Sequence, residues 1–165
     1  MPILPKPVRS LVALITLVLP FPGQAADKDF CPAIEKLGAL AQNSFVIAPT
    51  PADVEPLFTV AKNPVVQPDC RLFTKSGGKS HMCMWTFEYR DQHATAGFTA
   101  LLGRIKQCLG SSASESMDTG VNHPDSYEAR YFELDGFRFT VSIKDKAPLQ
   151  KSFVFFWVDK AENTP

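Results

Sequence analysis

Between Phe137 and Lys144 the chain alternates without a break. Phe137, Phe139, Val141 and Ile143 are apolar, and Arg138, Thr140, Ser142 and Lys144 are polar. A period of two puts each set on its own face of a β-strand, so this part of the chain must sit in a sheet with one dry face. Tyr127 to Glu133 precedes it as a second strand, and Ser152 to Val158 (SFVFFWV) follows as a third. In that last run Phe153, Phe155 and Trp157 share one face while Val154, Phe156 and Val158 share the other, so neither side is wet.

The hairpin between the first two of these strands admits two registers. A two-residue Asp135-Gly136 turn sets Arg130 and Glu128 opposite Val141 and Ile143 on the dry face. Burying an unpaired guanidinium costs several kcal/mol. The expectation is therefore a three-residue loop, Leu134 to Gly136, with Gly136 left-handed as a bulge. It pairs Tyr131 with Phe139, Ala129 with Val141 and Tyr127 with Ile143.

Upstream, Cys70 to Thr74 and His81 to Tyr89 flank Lys75-Ser-Gly-Gly-Lys79, a hairpin signature. Phe30, Ile34, Leu37, Ala41 and Phe45 keep helical spacing, with Pro32 in the first turn. A second helix runs from a cap at Asp91 through Ala94, Phe98, Leu101, Leu102, Ile105 and Leu109 to Gly110. Gly97 and Gly103 inside it suggest close approach to another backbone. Residues 46–68 hold Pro49, Pro51, Pro56, Pro64 and Pro68, and read as an extended crossover with at most a short helical turn near Ala52 to Val60. Residues 110–126 (GSSASESMDTGVNHPDS) have no periodicity and read as a long exposed loop. The expected fold is a single α+β domain: a largely antiparallel five-stranded sheet with two helices on one face, in the order α-β-β-α-β-β-β.

Residues 1–26 have the order of a secretory leader. Lys6 and Arg9 come first, then the apolar run SLVALITLVL, then Pro20, Pro22 and Gly23, and then Ala25 and Ala26. About ten apolar residues span roughly 15 Å, half of a bilayer core, so stable membrane insertion after cleavage is not expected. The domain is then 27–165, and all four cysteines lie in it. An even count in an oxidising compartment reads as two disulfides. Cys31 opens the first helix and Cys108 ends the second, and Cys70 and Cys83 share a face of adjacent strands, so the expected bridges are 31–108 and 70–83. The localisation this implies is periplasmic or secreted.

The charge balance, 17 Lys and Arg against 17 Asp and Glu, supplies no field to gather nucleic acid or an anionic membrane. There is no Cys-x-x-Cys, and His81-x-Cys83 has no companion pair, so neither a metal nor another cofactor is expected. Gly78-Lys79-Ser80 imitates the end of a phosphate-binding loop, but a strand follows it where such a loop needs a helix. Ser76-Gly-Gly-Lys79 imitates a serine–lysine catalytic pair, yet turn chemistry accounts for it. The histidines His81, His93 and His123 read as solvated. Of the three, His123 in Asn122-His-Pro-Asp125 lies on the longest loop, and with Asp125 forms the one candidate polar site.

The surplus of apolar residues says more. With two helices over the face bearing Trp85 and Phe139, the opposite face is expected to carry Met82, Met84, Phe132 and one side of the last strand, with Phe156. Either the proline-rich crossover covers it or a partner does. The leading expectation is an exported, disulfide-braced, non-catalytic binding module acting on another envelope or secreted protein, of inhibitor, immunity or accessory-subunit build. A small secreted hydrolase using His123 and Asp125, or a carrier of an apolar ligand, is the alternative.

Overall fold

A computed structural model of the chain describes residues 28–58, 66–75, 78–119 and 126–161. The helices are α1 (Phe30–Gln42), α2 (Pro51–Phe58) and α3 (Gln92–Leu109). The strands are β1 (Asp69–Lys75), β2 (Gly78–Glu88), β3 (Ser114–Asp118), β4 (Tyr127–Leu134), β5 (Phe137–Lys146) and β6 (Lys151–Lys160). They form one antiparallel sheet in the order β1-β2-β6-β5-β4-β3. The chain is α+β, but among the described residues it has six strands and three helices rather than five and two.

The two additional elements arise where hydrophobic patterning is silent. β3 lies in the segment expected to be a loop, and all five of its residues are exposed. Only its backbone ladder to β4, from Ser114 opposite Glu133 to Asp118 opposite Ala129, makes it a strand. α2 lies in the proline-rich crossover. Pro51 suits its first position, and the Asp53 carboxylate accepts from the Thr50 amide at 2.7 Å and the Thr50 hydroxyl at 2.8 Å, fastening the helix start. Lys36 of α1 reaches the same carboxylate at 2.5 Å, and these bonds hold Asp53 below the usual carboxylate range.

α1 buries Phe30, Ala33, Ile34, Leu37, Gly38 and Ala41, and α3 buries Ala94, Gly97, Phe98, Leu101, Ile105 and Leu109. Both stripes lie on the same face of the sheet, over Cys83, Trp85, Phe87, Val154, Phe156, Val158, Phe137, Phe139 and Val141. The rings of Phe137, Phe139 and Phe156 form its centre, 5.1 and 5.8 Å apart in succession. At Gly38 the helix comes so close that a methyl group would stand 2.7 Å from the Phe137 ring. The close approach expected at Gly103 is absent, since a methyl group there would meet nothing within 4 Å. Disulfides join Cys31 at the start of α1 to Cys108 near the end of α3, and Cys70 to Cys83 across β1 and β2.

The β4–β5 register corrects the expected bulge. Leu134 pairs with Phe137, Phe132 with Phe139 and Arg130 with Val141, closed by a two-residue turn in which Asp135 and Gly136 take φ of 48° and 82°. Both central residues are left-handed, as a turn matching strand twist requires. The premise that Arg130 would be buried and unpaired fails because it lines a cleft beside α3, among acids, instead of entering the dry core. Its guanidinium stays partly exposed and bonds Glu128 at 2.8 and 3.0 Å, with Glu115 of β3 3.6 Å away.

Candidate functional site: the open face of the sheet

The corrected register decides which side chains face away from the helices. Phe132, expected there, is 2 % exposed and lies under the helices, and so does Phe156 at 0 %. The error at Phe132 follows from the one-residue shift at the turn, which inverts every side chain of the strand. At Phe156 it follows from β6 being apolar on both sides, so that alternation alone cannot say which side is covered. Met82 and Met84 do face away, since they pair with Arg71, Trp157 and Phe155 on the face opposite Cys83 and Trp85, but only Met84 is half-buried, whereas Met82 is buried at 6 % exposure.

With them stand Phe73 of β1, Phe153, Phe155 and Trp157 of β6, and Tyr127 and Tyr131 of β4, all half-buried. Phe73 tilts against Trp157 at 5.5 Å between ring centres, and Phe153 stacks on Phe155 at 6.0 Å. On the β4–β5 side, Arg138 lies over the Tyr131 ring at 5.9 Å and Lys144 over Tyr127 at 5.8 Å, within cation–π range. Burial, a hydrogen bond with Tyr131 and the charge of Asp118 raise the Tyr127 phenol above its ordinary range, so it remains a neutral donor and acceptor. The edges are charged. Arg71 pairs with Asp69, Arg138 with Glu133 at 2.6 Å, and Lys151 with Glu88 at 2.5 Å.

Among the described residues no element lies over this face. The crossover residues described belong to the other side: α2 packs on α1, Val54 and Leu57 enter the core beneath the helices, and Val66 packs against that core. The result is an apolar centre with a rim of both signs. Phe73, Phe153, Phe155 and Trp157 were absent from the sequence-based set. The alternation within SFVFFWV pointed to a three-residue aromatic row on one side or the other, but only packing chooses between them.

The remaining polar candidates lie elsewhere. His81 is buried at 3 % exposure on the helix side, against the expectation of a solvated ring. Its Nδ1 meets no partner among the described residues, its ring lies 6.3 Å from that of Phe45, and burial pushes its pKa down to about 4. His93 is exposed, its Nδ1 2.8 Å from the Asp91 carboxylate, which also accepts the His93 amide and caps α3. His123 and Asp125 lie outside the described residues. Thr119 and Ser126, nearest to them on either side, line a cleft of about 630 Å³ between α3 and the β4–β5 end of the sheet. Its acids already have partners: Asp145 accepts from Ser126 at 2.7 Å and Ser152 at 2.6 Å, and Glu128 holds Arg130. No group of three or more histidines, cysteines and acids among the described residues could hold a metal, and no helix among them is long and apolar enough to cross a membrane. No protein-family model matches this chain, and no curated protein resembles it closely enough to count as a relative.

Proposed function

We propose that the chain is an exported, disulfide-braced, non-catalytic binding module whose working surface is the open face of the sheet. Its partner is another protein of the cell envelope or the exterior, and its action is that of an inhibitor, immunity protein or accessory subunit. The observation that carries this reading is the half-buried set Met84, Phe153, Phe155 and Tyr131 on a sheet face with no covering layer among the described residues. An apolar area of this kind destabilises a free protein in water by inviting association, and its burial against a partner supplies the affinity. Export is supported by the leader-like residues 1–26 and by the two disulfides, which persist in oxidising compartments.

Met84→Asp tests the reading. On an interface face the charge stays hydrated, so the variant keeps its circular dichroism and loses no more than about 1–2 kcal/mol. It should also fail to co-purify with whatever the parent brings down from an envelope fraction. Unfolding of the variant would return the face to the core, and a stable variant that retains every partner would remove the face from binding.

A further inference from the structure

We infer that the partner this face fits is a second copy of the same chain, with two sheets packed face to face and the helices outside. The inference rests on the reading of the face as a binding surface but replaces the foreign envelope protein by a second copy as its occupant. Area is the first support. Strands of 7, 11, 10, 10, 8 and 5 residues, at about 3.3 Å per residue and 4.8 Å between strands, give the sheet a face of about 800 Å². That is the share each partner contributes to a stable interface of ordinary size.

Charge is the second. Around the apolar centre the rim carries the ion pairs Arg71–Asp69, Arg138–Glu133 and Lys151–Glu88, with Lys144 and Asp118 of opposite sign beside Tyr127. Such a rim has no excess of either sign, so a strongly acidic or basic partner gains little from it. A two-fold copy brings the same alternation and can re-pair each charge across the interface. Position is the third. Phe155 stands at the middle of β6, flanked by Met84 of β2 and Ser142 of β5, and β6 is an inner strand of the sheet. The apolar centre therefore coincides with the place where a two-fold axis lying in the interface has to pass, and Phe155 meets its own copy there. Sheets packed about 10 Å apart with their strands roughly 30° off parallel bury Met84, Phe153 and Phe155 of both copies together. The helix layers, with the cleft beside α3, remain outward.

Light scattering behind size exclusion, from about 1 to 100 µM protein, tests this. The wild type is expected at twice the chain mass at the upper end, whereas Phe155→Asp and Met84→Asp run as folded monomers with self-association at least about 100-fold weaker. A wild type that stays monomeric throughout overturns the inference, as does a dimer that survives both substitutions. Unfolding of both variants overturns it too, because the face would then be core. A monomeric wild type whose Phe155→Asp variant loses an envelope partner removes the second copy and leaves the binding reading standing. A monomer whose variants keep every partner removes both.

Discussion

His81 shows what a single buried residue does to the whole fold. Its ring is enclosed on the helix side of the sheet, beside Phe45, and a protonated imidazole there would lose its hydration. The folded-state pKa of about 4 lies below the unfolded value of 6.5, so the unfolded chain binds the proton first as pH falls. Stability is complete above about pH 7 and declines between 6.5 and 4, by about 2–3 kcal/mol at pH 4.5 from this residue alone. Urea melts at pH 7 and 4.5 measure the loss, and His81→Leu should remove most of it. Equal losses in variant and parent would mean that the imidazole reaches solvent in the native state.

At the scale of elements, two glycines separate backbone needs from packing needs. Gly103 lies inside α3, and a side chain there meets nothing within 4 Å, so Gly103→Ala should stabilise the protein by about 0.5–1 kcal/mol through helix propensity. Gly136 has equally open surroundings but a φ of 82° in the β4–β5 turn. Gly136→Ala should therefore cost about 1 kcal/mol or more, the left-handed penalty of a Cβ. Thermal melts of the pair should move in opposite directions. A destabilising Gly103→Ala would show that α3 has a close neighbour at this point. The same turn explains the register: Asp-Gly is a signal for a two-residue hairpin, and it prevails once Arg130 has Glu128 and open solvent instead of a dry core.

Across the whole molecule the two disulfides constrain very different lengths of chain. Cys31–Cys108 links residues 77 apart and Cys70–Cys83 residues 13 apart. Loop entropy then assigns about 4–5 kcal/mol to the first and about 3 to the second. Paired substitution of Cys31 and Cys108 by alanine should lower the urea midpoint more than the same change at Cys70 and Cys83. The reverse order would mean that the unfolded chain already holds α1 near α3, or that the void left by fully buried Cys83 outweighs the entropy. The long bridge fastens the helix layer on one side of the sheet, while the opposite side keeps its aromatic row half-buried.

The sequence by itself determined α1, α3 and the strands that carry alternation, because periodicity and caps such as Asp91 are local and survive any arrangement of the elements. It also determined that the chain has more apolar faces than two helices can cover, since alternation within Ser152 to Val158 leaves no wet side. It could not show β3, whose five exposed residues bury no apolar face and are held by the ladder to β4 and the Glu115–Lys106 ion pair. Nor could it say which side of β6 lies beneath the helices, or that a cleft beside α3 takes Arg130 and Glu128. Those depend on the extent and position of a covering layer, a property of packing between elements distant in the chain. The candidate face inherits that division: Met82 and Met84 were legible from alternation within one strand, whereas Phe153 and Phe155 replaced Phe132 and Phe156 only when tertiary packing fixed which side faced out.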